Sequence, residues 1–219
     1  PQPWRQAAAL RNAVTLPQHF MANGYFVAGG GKTYHDSYPD PASWQEYFPS
    51  KTRQKPEDPM PPGRPLNGIP NTAHFDWGPV NVPDSEMGDS QVVDWAIGQL
   101  RKPHRQPFFL ACGLFRPHLP WYVLGRLLDA FEDSPHARNT TVVLWSDHGW
   151  HLGEKLHWRK FALWEEATHN VLMISSPGLT RPGTRCHRPV SLMDVYPTLI
   201  DICGLPRRAE LEGVSLAPL

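Results

Sequence analysis

The sequence predicts an α/β fold, a mostly parallel sheet flanked by helices on both faces. Two observations predict it. Short apolar runs alternate with stretches of helical period along the chain, the order that builds parallel sheets. Three polar clusters, Lys32–His35, Arg116–His118 and Asp147–His148, follow directly on apolar runs. In such sheets, ligands bind outside the carboxyl ends of the strands.

The elements follow in order. Leu16 to Asn23 reads as a short helix with Leu16, Phe20 and Met21 at helical spacing, stopped by Asn23-Gly24. Tyr25 to Ala28 reads as a strand that Gly29-Gly30-Gly31 ends. Tyr38 to Pro83 is dense in Pro, Gly, Asp and Asn without a sustained period, and reads as one long loop, either functional or disordered. Ser90 to Lys102 is a helix with Val92, Val93, Ala96, Ile97 and Leu100 on one face. Pro107 to Gly113 is a buried strand, and Leu124 to Phe131 a second amphipathic helix. Thr140 to Trp145 is rich in β-branched residues and reads as a strand, as does Asn170 to Ser175. Ser191 to Cys203 is a helix that Pro197 should kink or shorten.

Composition bounds the function. At 219 residues and 40% hydrophobic content the chain can bury one sizeable core, and the length favours a single domain. Its 21 basic and 21 acidic residues cancel without a basic run, which gives nucleic-acid binding no electrostatic support. No apolar stretch approaches a bilayer span. The 25 prolines would suit a disordered chain, but 9 tryptophans argue for folded structure with long, stiff loops. Cys112, Cys186 and Cys203 form no CxxC, zinc spacing or disulfide framework. Cys112 and Cys203, in apolar runs, read as small buried hydrophobes. The first residues carry no signal pattern and no Met, so the chain is expected to begin inside a longer gene.

Three motifs carry candidate chemistry. Ser146-Asp147-His148-Gly149 places a carboxylate and an imidazole on a turn after a strand. A loop Asp is commonly a turn residue. Here it opens a run with His148, His151, His157, Lys155, Arg159, Lys160, Trp150 and Trp158, which predicts a cationic, partly apolar pocket for an anion. Gly31-Lys32-Thr33-Tyr34-His35 offers a point charge and, three residues on, a proton-transfer group, without P-loop spacing. In Phe115-Arg116-Pro117-His118-Leu119-Pro120-Trp121, two prolines stiffen the backbone around His118. It is either a stiff loop with an incidental His or a well-placed catalytic one.

Together and in this order, these pieces resemble the type I sulfatases of the alkaline-phosphatase-like superfamily, most closely the iduronate-2-sulfatase and choline-sulfatase-like members. The stretches are TLPQHFMANGYFVAGGGKTYH, PFFLACGLFRPHLPWY, NTTVVLWSDHGWHLGEKLHWRKF and PVSLMDVYPTLIDICGLP. The resemblance implies a formylglycine- and calcium-dependent sulfuric ester hydrolase acting on sulfate esters, by default of sulfated sugars, with choline sulfate as another substrate of the class. It implies that Asp147 and His148 are two ligands of Ca2+. It implies that Lys32 and Lys160 neutralise sulfate oxygens, that His118 protonates the leaving alcohol, and that His35 takes a proton as a covalent sulfate intermediate collapses. It also implies a periplasmic, extracellular or lysosome-like setting.

The sequence departs from the family in three places. No C/S-x-P-x-R motif, the source of the formylglycine nucleophile, occurs in the 219 residues, nor does the early Asp-Asp pair of metal ligands. Both are expected before Pro1. Val123 joins Leu124 where the family carries a long segment, which predicts an internal join near 123–124. The chain stops at LEGVSLAPL, where relatives continue into a smaller subdomain. Residues 1–219 are therefore expected to form part of a sulfatase catalytic domain. Two other readings stand beside the sulfatase: a phosphoester or phosphonate hydrolase of the same superfamily, and a non-catalytic remnant that binds sulfated ligands.

Overall fold

The structure is a computed structural model that describes residues 3–60, 62–64, 66, 68–70, 81–115 and 122–219. The chain forms two compact units, Pro1–Ser134 and Pro135–Leu219.

The first unit contains α1 (Leu16–Ala22), β1 (Phe26–Gly31), β2 (Glu46–Phe48), α2 (Gly88–Arg101), β3 (Phe108–Gly113) and α3 (Tyr122–Glu132). α1 starts on a capping box. The Thr15 hydroxyl accepts from the Gln18 amide, and the Gln18 side chain accepts from the Thr15 N–H at 3.0 Å. Its three strands form a parallel sheet in the order β2-β1-β3. The residues of β1 alternate between its faces. Val27 and Gly29 look toward Trp44, Phe109 and, through Phe109, Phe20 of α1. Gly30 looks toward Trp95 of α2, and Phe26 toward His104 just beyond α2. Helices therefore cover both faces of this sheet, as the sequence predicts.

Two expectations fail here. The glycines do not end β1; they run inside it. A Cβ at Gly29 would stand 2.7 Å from the Trp44 ring, and one at Gly30 2.8 Å from Trp95. Large aromatics from the flanking segments fill the space that side chains in the strand would take. The long loop also contains β2, whose three residues pair with β1 through Ala28, Gly29 and Gly30. Three residues among prolines are too few to show a period.

The second unit contains β4 (Val142–Trp145), β5 (His151–Leu152), β6 (Trp158–Arg159), α4 (Glu165–Thr168), β7 (Leu172–Ser175) and α5 (Val195–Ile202). β4 pairs with β7 and β5 with β6, both antiparallel. This departs from the expected parallel arrangement. A parallel return needs a long crossover, usually a helix, and the four-residue α4 is too short to provide one. α5 begins at Val195 after a 3-10 turn, Leu192–Asp194. Pro197 thus falls in the first turn, where its missing N–H breaks no bond. Thr198 Oγ1 donates to the Asp194 carbonyl at 2.6 Å and accepts from the Leu216 N–H at 2.8 Å. Asp194 accepts from the N–H of Ser191 and of Val214, each at 2.9 Å. The C-terminal residues are thereby strapped to α5.

Candidate active site

The first unit supplies Lys32-Thr33-Tyr34-His35 at the carboxyl end of β1. The backbone makes a tight exit there. Gly31 has φ +73°, and a Cβ on it would lie 1.9 Å from the Gly113 carbonyl oxygen, so only glycine fits. The same carbonyl accepts from the Lys32 N–H at 2.8 Å. Beyond this point the turn is tied to buried side chains. Gln54 Oε1 accepts from the Tyr34 N–H at 2.8 Å, and Gln54 Nε2 donates to the His35 carbonyl at 2.8 Å. The buried Tyr47 hydroxyl donates to the Gly31 carbonyl and sits 2.7 Å from the Thr33 hydroxyl. Burial pushes the Tyr47 phenol up to about 12, so it remains a donor through the neutral range.

A second network lies beneath Tyr34. Its hydroxyl is 2.8 Å from Ser43 Oγ, and Ser43 donates to Asp40 at 2.5 Å. Arg5 grips both Asp40 oxygens, at 2.6 and 2.8 Å. Burial alone would raise the Asp40 carboxyl, but the hydrogen bonds from Arg5 and Ser43 outweigh it and hold the group below its ordinary value. His35 is exposed, and its Nδ1 accepts from the Ser37 N–H at 3.3 Å. A neutral His35 held this way carries its proton on Nε2 and acts as a donor toward an anion. Taking a proton at Nε2 would require the other tautomer.

The second unit supplies Asp147, His148 and Lys160. Asp147 and His148 follow β4 directly, as the sequence predicts. Gly149 lets the loop pass closely over α4: its N–H donates to the Ala167 carbonyl at 2.8 Å, and a Cβ on it would stand 2.0 Å from the Glu166 carbonyl oxygen. His148 Nδ1 lies 2.8 Å from the Gly149 carbonyl, and its Nε2 lies 2.8 Å from Lys160 Nζ. A carbonyl accepts only, so Nδ1 carries the proton. The ammonium then donates to the Nε2 lone pair, and His148 is neutral. Asp147 Oδ1 is 3.5 Å from the same Nε2.

The remaining imidazoles of this run do not join that pocket. His151 is wholly buried, with its ring 5.0 Å from His157 and 5.5 Å from Trp164, and its Nδ1 is 3.9 Å from Glu166 Oε2. Lys155 Nζ lies over the Trp164 ring at 4.7 Å. The predicted cationic pocket is thus narrower than expected, because part of the run folds inward as core. His118 and its neighbours Arg116 and Pro117 lie outside the described residues.

Among the residues predicted for the site, Lys32 and His35 share one turn in the first unit. Asp147, His148 and Lys160 meet in the second. Gln54, Tyr47, Ser43, Asp40 and Arg5 were not foreseen. Gln54 and Tyr47 are in a Pro-rich segment without period, and nothing local marks a polar residue there as buried.

Asp147 Oδ1 and His148 Nε2 are spaced to take neighbouring positions on one cation. Ligands at right angles on bonds of about 2.4 Å lie about 3.4 Å apart, close to the 3.5 Å seen. The Nδ1 anchor fixes the tautomer that exposes Nε2, as metal-binding imidazoles require. The two residues fit part of a coordination shell. Among the described residues, no group of three or more His, Cys, Asp and Glu could hold a metal ion.

The fold is that of solved sulfatases. The structure matches a 2-O GAG sulfatase, BT1596, with a TM-score of 0.68 over 94% of this chain and 56% of that one, at 19% identity. It matches BT4656, solved in complex with D-glucosamine-2-N,6-O-disulfate, with a TM-score of 0.68 over 94% of this chain and 64% of that one, at 16% identity. The sulfatase family model matches residues 122–205.

Curated sulfatases are similar to the chain over most of its length. A sulfatase of Formosa agariphila is 30% identical over 283 aligned positions, which take in 95% of this chain and 55% of that protein. Human iduronate 2-sulfatase is 24% identical, over 92% of this chain and 56% of that protein. The chain thus spans about half the length of these curated relatives.

Proposed function

We propose that this chain is part of a calcium-assisted sulfuric ester hydrolase acting on sulfated sugars. The observation that carries this reading is the His148 arrangement. Its Nδ1 is locked on a carbonyl, and its Nε2 lone pair accepts from Lys160 with an Asp147 carboxylate oxygen 3.5 Å away. It is a cation-ready pair with an anion-binding ammonium beside it. The names of the relatives support the substrate class: a 2-O GAG sulfatase, an iduronate 2-sulfatase, and a structure with a disulfated glucosamine bound.

Asp147 and His148 would hold the calcium ion, which when bound supplies Lewis-acid stabilisation of sulfate oxygens. The other steps belong to side chains of this chain. Lys32 and Lys160 neutralise non-bridging oxygens, where charge persists through ester cleavage. In the tautomer favoured by Ser37, His35 donates a hydrogen bond from Nε2 to the same group. His118 delivers a proton to the leaving alcohol. No C/S-x-P-x-R motif, the source of a formylglycine, lies within the 219 residues.

Lys160 has two roles that exclude each other in time. Its ammonium and a metal ion cannot share the single lone pair of His148 Nε2. With a cation held by Asp147 and His148, Lys160 would be free for the sulfate.

A second reading, a remnant that binds sulfated ligands without turning them over, is favoured by the missing nucleophile motif. A further observation fits an internal loss. The Formosa agariphila alignment needs 283 positions to place 95% of a 219-residue chain, so that relative carries segments absent here. The two readings separate when the chain is expressed with whatever its gene encodes upstream of Pro1: hydrolysis of an aryl sulfate with calcium, beside His118→Ala and Lys160→Met. Binding without turnover supports the remnant for this chain. Turnover lost in both variants supports the hydrolase.

A further inference from the structure

We infer that Gln54 is a positioning residue that holds the Lys32–His35 turn in its anion-facing shape. This inference rests on the proposed reading of Lys32 and His35 as sulfate-binding groups. Gln54 is 1% exposed, although it comes from a segment dense in proline and charge. A buried amide is costly unless its donors and acceptors are used. Here they are used on the backbone of the turn, 20 and 19 residues away. Oε1 accepts from the Tyr34 N–H and Nε2 donates to the His35 carbonyl, both at 2.8 Å. Oε1 also stands 3.2 Å from the Tyr47 hydroxyl and 3.4 Å from that of Thr33.

The geometry is that of a missing strand partner. A primary amide presents one acceptor and one donor side by side, as a peptide group does in a ladder. The turn after β1 has left the sheet, so Tyr34 N–H and His35 C=O have no strand to pair with. Gln54 replaces that strand. With Gly31 pinned by Tyr47 and the Lys32 N–H held by Gly113, the backbone on both sides of Lys32 is fixed. Lys32 and His35 are then three residues apart on a frame that cannot relax when an anion arrives. Such preorganisation saves ordering entropy on binding.

The test uses inorganic sulfate as the probe and compares the native chain with Lys32→Met, Gln54→Leu and Gln54→Glu. Sulfate affinity is measured by calorimetry, and amide hydrogen exchange is followed at Tyr34 and within β1. Gln54→Leu should weaken sulfate binding about tenfold, the worth of one lost charge-orienting hydrogen bond. It should also speed Tyr34 exchange while Val27 and Ala28 remain protected. Gln54→Glu keeps the acceptor for Tyr34 but turns a carboxylate oxygen toward the His35 carbonyl. Its loss relative to the native chain should therefore be greatest at high pH and recover on acidification, when a protonated carboxyl again donates. A packing role alone would not give that pH profile. If Gln54→Leu fails to fold, the profile of Gln54→Glu decides. Native-like sulfate affinity in the Gln54 variants, with Lys32→Met impaired, overturns the inference and leaves the reading of the site intact. Unchanged affinity in Lys32→Met overturns both.

Discussion

At the residue scale, the contact between Lys160 and His148 makes a measurable claim. If the ammonium and a metal ion compete for Nε2, Lys160→Met should bind cations more tightly. The gain should be about tenfold, since one charge-assisted hydrogen bond no longer has to be broken. Terbium luminescence sensitised by the nearby Trp150, whose ring is 6.2 Å from His148, reads this directly. Equal affinities would mean that Lys160 does not occupy the cation position. Asp40 makes a second claim. Its folded carboxyl is held below the ordinary value of 3.8 by Arg5 and Ser43. The stabilisation is complete above that value and is lost as the pH falls through the lower folded one. Asp40→Asn should therefore lower stability by about 2 kcal/mol at neutral pH, and flatten the acid limb of a denaturation profile taken against pH. An unchanged acid limb would place the sensitivity elsewhere. Asp147, His148, Lys32, His35 and Lys160 are expected from the sequence through the short motifs that carry the family resemblance. Arg5 and Asp40 could not, because 35 residues separate them and only the fold brings them together.

At the scale of elements, glycines decide where the site loops can run. Gly149 packs against the Glu166 carbonyl, and Gly149→Ala would drive a methyl group into backbone that cannot give way. We expect a loss of about 3 kcal/mol or more, seen as a lower midpoint in thermal unfolding with the β4–β7 amides losing protection. Gly29→Ala meets a buried Trp44 ring instead, and overpacking of this kind typically costs about 1–3 kcal/mol. A neutral result at either position would contradict the close approach. These glycines also explain one misreading. Three in a row look like a strand end, and the sequence does not reveal that distant tryptophans fill the space above them. The helices were legible because 14 residues of α2 give several turns of period. The strands β2, β5 and β6 have two or three residues each, less than any period needs. The direction of β7 was not legible either, since pairing sense depends on the connection and not on the strand's own residues.

At the scale of the whole molecule, the chain has the fold of solved sulfatases and is similar to curated sulfatases over most of its length. No described helix is long and apolar enough to cross a membrane. Of the residues expected to bind the anion or the metal, Lys32 and His35 lie in the first unit and Asp147, His148 and Lys160 in the second. Because the nucleophile motif is missing, we expect no enzyme-like turnover of an aryl sulfate by the 219 residues. Loss of a nucleophile from a cooperating set costs on the order of a millionfold. The central claim, that Lys32 and Lys160 each bind sulfate, is tested most directly by removing either ammonium. Binding of a disulfated glucosamine is measured for the native chain, Lys32→Met and Lys160→Met, with calcium present. The account predicts that each variant loses affinity about tenfold, the worth of one charge-assisted hydrogen bond. Variants that bind as the native chain does would contradict it.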